Sequence, residues 1–271
     1  MNITFIGGGN MSTALISGLI KQGCPPSAIR VVEISPEGRD RLHASFGVGV
    51  FEHPDAQALA SGIVVLAVKP QQLREIATQL HDMLAGKLVI SIAAGVRAPD
   101  LARWLGGHAQ LVRAMPNTPA MILSGITGLY ALPEVSEEQK RQAEAVLNAV
   151  GTVVWLDAES QMDAITAVSG SGPAYVFYFM EALQAAAREF GFNDGAARHL
   201  AVETFLGAAK LAAASDEDLA VLRTRVTSKG GTTERALLTM ETDAVKANIV
   251  RAVQAAAERS RELGDELGKA G

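Results

Sequence analysis

The sequence predicts an α/β fold, a doubly wound sheet domain followed by an all-α domain, on two observations. From Ile3 to Leu156, short β-type apolar runs alternate with stretches of helical period. From about Ala158 the strand signals stop and long helical patterns take over. That change sets the expected boundaries: 1–158 for the sheet domain and 159–271 for the helical one.

The first strand, Ile3-Thr4-Phe5-Ile6, runs into Gly7-Gly8-Gly9-Asn10-Met11 and then into a helical pattern through Ala14, Leu15, Gly18 and Leu19. Strand, glycine turn and helix in that order form a dinucleotide-binding fingerprint, which makes residues 1–158 a Rossmann-type domain. Gly7 permits the tight turn, Gly9 lets the backbone approach a pyrophosphate, and the helix N-terminus faces the negative charge with free N–H groups. Ser12 stands in the third glycine position, small enough for close helix–strand packing. An ordinary glycine turn has the same local pattern.

Ile29 to Ile34 reads as the second strand and ends in Glu33-Ile34-Ser35-Pro36, where the adenine ribose of a dinucleotide sits. Glu33 suits a ribose 2′-OH and repels a 2′-phosphate, whereas Ser35, Arg39 and Arg41 are suited to accept that phosphate or are plain loop residues. The local signal is divided between NAD and NADP. Val48 to Phe51 is a short third strand. Ile63 to Val68 is continuously apolar, as a central parallel strand covered on both faces should be. It ends at Lys69-Pro70-Gln71, where Lys69 is either a cofactor contact or a pre-proline turn residue. Leu88 to Ile92 ends in the small residues Ala93-Ala94-Gly95. Leu111 to Ala114 leads into Met115-Pro116-Asn117-Thr118-Pro119, whose two prolines hold Asn117 and Thr118 in a stiff loop. Asn117 there is a functional side chain or a capping one. Ile126 to Ala131, a charged helix over Ser136 to Val150, and Thr152 to Leu156 complete the sheet domain.

In the helical half, Gly170-Ser171-Gly172-Pro173 marks a helix start, and the helix to Phe190 is apolar almost all round. Such a helix is expected to be buried on all sides, in the centre of a helical domain or between subunits. Alanine-rich helices follow near 195–214 and 243–265. This much apolar helix in a small domain predicts a homodimer or larger, and a strictly monomeric mass would contradict it. Val226-Thr227-Ser228-Lys229-Gly230-Gly231-Thr232-Thr233 precedes another helix. Its glycines and threonines make either a backbone anion site suited to a carboxylate or a simple threonine N-cap.

Several function classes fall away. Net charge is −5, from 24 basic and 29 acidic residues with no basic run, so neither nucleic acid nor an anionic membrane is an expected partner. Cys24 is the only cysteine, and His43, His53, His81, His108 and His199 form no ligand spacing, so no metal site is expected. Neither a G-x-S-x-G elbow nor a P-loop lysine is present. Asp163 and Glu203 read as solvated or capping. The most apolar stretch, Ala174 to Ala187, is broken by Glu181 and Gln184 and reads as a buried helix rather than a span. The first strand begins too early for a signal peptide to precede it in this sequence, which predicts a cytoplasmic protein.

Taken together, Phe5-Ile6-Gly7-Gly8-Gly9-Asn10-Met11, Ala67-Val68-Lys69-Pro70-Gln71, Met115-Pro116-Asn117-Thr118-Pro119, Ser169-Gly170-Ser171-Gly172-Pro173-Ala174-Tyr175 and Val226 to Thr233 resemble the pyrroline-5-carboxylate reductase family over nearly the whole chain. The resemblance implies a Rossmann-type domain followed by an all-α dimerisation domain that also binds substrate, with higher assembly up to a decamer of dimers. It implies NAD(P)H-dependent reduction of 1-pyrroline-5-carboxylate to L-proline, the last step of proline biosynthesis, with NADP(H) favoured and NAD(H) the alternative. Carried over by position, cofactor contacts fall at Ile6, Gly7, Gly8, Gly9, Asn10, Met11, Ser35, Ala67, Val68, Lys69, Pro70, Ala93, Ala94 and Gly95, with Asn117 positioning the nicotinamide side. Substrate contacts fall at Ser228, Gly230, Gly231, Thr232 and Thr233, where the Thr233 hydroxyl is the catalytic group facing the ring nitrogen. Two stretches depart from the family's pattern: Lys229 stands where proline is usual, and Glu52-His53-Pro54-Asp55 lacks the usual cofactor-contacting asparagine.

Two other functions are weighed. A hydroxyacid dehydrogenase of related architecture would open the long helix with G-x-G-x-x-x-K-x-x-N, but Val176 and Phe179 stand where lysine and asparagine belong. A nucleotide sensor without catalysis would not need the intact G-G-T-T loop.

Overall fold

The computed structural model describes residues 1–269. Its described residues form two compact units, 1–171 with 256–269 and 172–255. The composition change near Ala158 precedes the packing break after Ser171, and residues 256–269 return to the first unit.

The first unit is built on one eight-stranded sheet. Its strands are β1 (Ile3–Ile6), β2 (Ile29–Val32), β3 (Gly49–Phe51), β4 (Ile63–Leu66), β5 (Leu88–Ser91), β6 (Leu111–Met115), β7 (Gly125–Ala131) and β8 (Gly151–Trp155). The order is β3-β2-β1-β4-β5-β6-β7-β8, parallel throughout except for the antiparallel β6–β7 pair. Alternation along the strands sorts side chains to two cores. Ile3, Phe5, Ile29, Val31, Ile63, Val65 and Ile90 join one; Ile6, Val32, Val64, Leu66 and Val89 join the other. Each fully buried aliphatic side chain contributes about 1.5–3 kcal/mol to that layering.

The connecting helices are α1 (Asn10–Lys21), α2 (Pro36–Phe46), α3 (Pro70–Leu80), α4 (Ala98–Trp104) and α5 (Glu137–Leu147). Their ends follow local chemistry. Ser35 caps α2 by accepting the Gly38 N–H at 3.1 Å, which stops β2 at Val32 rather than Ile34. Pro70 sits at N1 of α3, so β4 closes at Leu66 rather than Val68. Ser136 and Gln139 form a capping box at the start of α5.

After β8, α6 (Gln161–Ile165) runs into a π-helical turn at Thr166–Gly170, closed by Ser171 N–H to the Thr166 carbonyl at 2.8 Å. The second unit starts there, with α7 (Gly172–Glu189), α8 (Asp194–Ala213), α9 (Leu219–Arg225), α10 (Thr232–Thr242) and the first part of α11 (Val245–Lys269). Of the two environments expected for α7, the centre of the helical domain is not the one found. No residue of α7 is buried, and Phe177 and Tyr178 are 59% and 72% exposed. The helix packs on α8, but the unit has too few layers to enclose both faces of α7. Its apolar side remains open, as do Phe190, Leu219 and Leu238.

The last turns of α11 pack on the first unit, where the Ser260 hydroxyl donates to Asp163 at 2.7 Å and Arg97 pairs with Asp265 at 2.7 Å. Asp163 is therefore a tertiary anchor rather than a solvated residue. No helix among the described residues is long and apolar enough to cross a membrane.

One titration is built into the sheet unit. Burial holds the half-buried His108 below the ordinary histidine value of 6.5, outweighing its bonds to backbone carbonyls. The unfolded chain then binds the proton more readily than the native one, so stability rises with pH across the window between the folded value and 6.5. Below that window the contribution is lost. His108→Gln should flatten the slope of urea-unfolding free energy against pH in that window.

Candidate active site

The chain runs from β1 out to β3 and returns to β4 on the other side of β1, so the sheet's order reverses between β1 and β4. Open α/β sheets bind ligands outside the strand carboxyl ends at such a point. The parallel register aligns Ile6 with Val32 and Leu66, and Leu66 with Ser91. The loops that follow these strands therefore share one edge: Gly7–Gly9, Glu33–Ser35, Ala67–Pro70 and Ile92–Gly95. A cleft of about 290 Å³ opens there, lined by the glycine loop, Glu33, Glu52, Val68 and Lys69 among others. A larger surface cavity of about 550 Å³ lies beside α5 and β8, away from these strand ends.

The glycines divide the work as the sequence suggests. Gly7 has φ +100°, and a Cβ there would lie 2.7 Å from the Ala67 carbonyl oxygen, so only glycine fits against β4's exit. Gly9 is the N-cap of α1, and nothing lies within 4 Å of where its Cβ would be. The loop backbone and the first-turn N–H groups of α1 thus border open space. Ser12 is buried and donates to the Gly7 carbonyl at 2.7 Å, tying the helix to the turn. Around this loop Asn10, Lys69 and Ala94 are exposed, Met11, Val68, Ala67 and Pro70 are half-buried, and Ile6 and Ala93 are buried. Gly95, at φ +76°, is closed off by Leu267 of α11, which a Cβ would approach to 3.1 Å.

Asn117 is occupied on both ends of its amide. Its Nδ2 donates to the Ser169 carbonyl at 3.1 Å, and its Oδ1 accepts the Ile126 N–H at 3.0 Å. The π-helical turn shifts the helix hydrogen-bond ladder where Ser169 offers that carbonyl. Asn117 thereby fastens the 115–119 loop to β7 and to the segment leading into α7. Sequence spacing carries no sign of this, because the partners are 52 and 9 residues away.

The 226–233 loop lies in the second unit and leads into α10, with Gly231 as N-cap and Gly230 at φ +73°. Three of its N–H groups are already paired: Thr227 donates to the Thr224 carbonyl at 3.0 Å, Gly231 to the Ser228 carbonyl at 3.0 Å, and Gly230 to the Glu234 carboxylate at 2.7 Å. The first-turn N–H groups of Thr232 and Thr233 have no partner among the described residues. Nor do their hydroxyls, although Thr239 and Thr242 further along α10 bond back to carbonyls at 3.1 and 2.9 Å. Glu234 on Gly230 was not foreseen. Its place three positions into the helix, as in a capping box, was the available signal. No cluster of potential metal ligands occurs among the described residues.

The chain is 44% identical to the pyrroline-5-carboxylate reductase of Pseudomonas aeruginosa over 98% of both chains. The chain belongs to the pyrroline-5-carboxylate reductase family. It is 36% identical to the Arabidopsis thaliana pyrroline-5-carboxylate reductase, covering 96% of this chain and 95% of that one. Residues 159–263 match the family described as pyrroline-5-carboxylate reductase dimerisation, and residues 2–95 match NADP oxidoreductase coenzyme F420-dependent. Among solved structures it is similar to a pyrroline-5-carboxylate reductase from Coxiella burnetii, with TM-score 0.92, 43% identity and coverage of 97% and 98%. It is also similar to Plasmodium falciparum pyrroline carboxylate reductase with NADP bound, with TM-score 0.85, 27% identity and the same coverage. As a pyrroline-5-carboxylate reductase family member, the chain is an oxidoreductase with an NAD(P)-binding sheet unit. The dimerisation match supports assembly into an oligomer, which fits the open apolar side of α7.

Proposed function

We propose that this protein reduces 1-pyrroline-5-carboxylate to L-proline with NADPH or NADH, and so completes proline biosynthesis. The observation that carries the reading is the Thr232–Thr233 start of α10, whose amides and hydroxyls have no partner among the described residues, in a member of this family. Residues 1–158 supply the nucleotide site, and 159–271 supply substrate binding and a homodimer interface. The cofactor fits the first unit: Gly9 leaves its backbone open, and the N-terminus of α1 presents unpaired N–H groups of the kind that hold a pyrophosphate. Gly7 to Met11 would hold that group, Ser35 the ribose side, and Ala67 to Pro70 with Ala93 to Gly95 the remainder. Asn117 acts here by fixing the loop that borders the nicotinamide side.

The bound reduced nicotinamide supplies a hydride. What the chain supplies is position and charge complementarity. The amides of Thr232 and Thr233 hold the substrate carboxylate, with the helix N-terminus favouring its negative charge. Ser228 and Gly231 shape the turn, and the Gly230 N–H joins when Glu234 leaves it. The Thr233 hydroxyl bonds the ring nitrogen. Because the imine arrives protonated, hydride addition at its carbon sends the π pair to nitrogen and no strong protein acid is needed. The cytoplasmic location belongs to the same proposal, since the reaction consumes reduced nicotinamide and the chain carries one cysteine.

The deciding experiment follows NADPH and NADH oxidation with 1-pyrroline-5-carboxylate. Turnover that needs the imine is expected, from a species with at least dimeric mass; the same mass shows whether dimers assemble further toward a decamer of dimers. Folded protein that binds the nucleotide but does not turn over would refute the substrate assignment.

The glycine loop gives a sharper check. Gly9→Ala should leave the melting temperature nearly unchanged, because the new methyl meets no protein atom within 4 Å. It should weaken nucleotide binding by about tenfold or more, ~1.4 kcal/mol, by standing between amide and pyrophosphate. Equal nucleotide affinity in the variant would remove the loop from the site.

A further inference from the structure

We propose that Glu52, just past β3, is a cofactor-specificity residue that works with Glu33 to favour NADH over NADPH. The inference rests on the nucleotide reading of the β1–β4 cleft, which both carboxylates line. It runs against the NADPH preference that the family resemblance implies.

Each group that the sequence offers to a 2′-phosphate is already engaged. The Arg39 guanidinium donates to the carbonyl oxygens of Glu33 at 2.8 Å and Ile34 at 2.9 Å, and it pairs with Glu52 at 3.5 Å. Arg41 donates to the Gly8 carbonyl at 3.1 Å. The Ser35 hydroxyl donates to the Glu37 carboxylate at 2.7 Å while accepting the Gly38 N–H. That bond from Ser35 holds Glu37 below the usual carboxylate range, so it remains charged. A phosphate arriving here meets Glu33, Glu37 and Glu52 and must take Arg39 away from Glu52. His53, 3.4 Å from Glu52 and largely exposed, adds a positive charge only when protonated.

A ribose 2′-OH faces no such opposition. Glu33 accepts the Gly8 N–H on one oxygen at 2.8 Å and the Ser35 N–H on the other at 2.9 Å. Each oxygen keeps a second lone-pair direction, so the carboxylate is oriented and still able to accept a hydroxyl. Glu52 adds a third carboxylate to this corner and neutralises the guanidinium of Arg39 that a 2′-phosphate would need.

The test is calorimetric titration of the full-length protein with ADP-ribose and with 2′-phospho-ADP-ribose, which reads the adenosine end without turnover. Wild type should bind ADP-ribose at least as tightly as its 2′-phosphate. Glu52→Gln should improve the 2′-phosphate relative to ADP-ribose by roughly three- to tenfold, the scale of one nearby charge at high dielectric. Adding Arg39→Gln should cancel that gain, because the gain comes through the released guanidinium. Glu52 is largely exposed, so the substitution does not threaten the fold. A wild type that prefers the 2′-phosphate, or an E52Q ratio equal to wild type, overturns the proposal alone. Folded protein that binds neither ligand overturns the nucleotide reading and this proposal with it.

Discussion

Glu159→Ala is expected to destabilise the protein by about 3–5 kcal/mol, the cost of leaving a buried charge without its partner. Arg113 lies in the middle of β6 with its side chain 4% exposed, and its guanidinium meets Glu159 at 2.6 Å. The same Glu159 oxygen accepts the N–H of Ala98, the first residue of α4, at 3.0 Å. One carboxylate thus neutralises a cation inside the sheet layer and caps the N-terminus of α4. For a chain of this size the loss should lower the melting temperature by roughly 6–20 °C. The effect should reach the nucleotide site, since Ala98 follows directly on the 93–97 loop, and the KM for the reduced cofactor should rise. Replacing both partners, Arg113→Met with Glu159→Leu, should recover much of the stability because no charge is then stranded. If Glu159→Ala melts within about 2 °C of wild type, roughly 1 kcal/mol at most, the pair is not a structural anchor.

That pair marks where sequence reading runs out. The eight strands were visible as short apolar runs, and the nucleotide-binding turn was legible once Ile3 to Gly9 was read as strand, turn and helix. The sheet order that places it at the switch point came from the fold. Strand ends were read less well, because Ser35 and Pro70 begin helices that cut β2 and β4 short. The glycine roles were legible: a steric need at Gly7 and an open face at Gly9 are both met by having no side chain. Pairings across long separations were not. Arg113 and Glu159 are 46 residues apart, Asn117 and Ser169 are 52, and Asp163 and Ser260 are 97. Such contacts depend on register and helix phase, which composition does not carry. For α7 the apolar pattern left two environments open, the centre of the helical domain or a subunit interface, and the exposure of Phe177 and Tyr178 within the single chain removes the first.

Thr233→Ala is expected to lower kcat/KM for the imine by about 5- to 150-fold, the ~1–3 kcal/mol of a hydrogen bond to a charged group. The reason lies in which threonines of α10 are free. Thr239 and Thr242 close their hydroxyls onto carbonyls one turn back, so Thr239→Ala should leave kinetics unchanged. Thr233 comes at the second helical position, before any carbonyl one turn back belongs to the helix, and its hydroxyl has no partner among the described residues. If that hydroxyl meets the ring nitrogen only as charge shifts during hydride addition, kcat should fall with little change in KM. If it merely holds the ground-state substrate, KM should rise and kcat stay. Thr233→Ser keeps the hydroxyl and should restore most of the rate. The amide of residue 233 is present in every one of these variants, so carboxylate binding should persist, measurable as inhibition by L-proline. An unchanged kcat/KM in Thr233→Ala would leave the amides of α10 as the loop's whole contribution and place the protonated nitrogen against some other group.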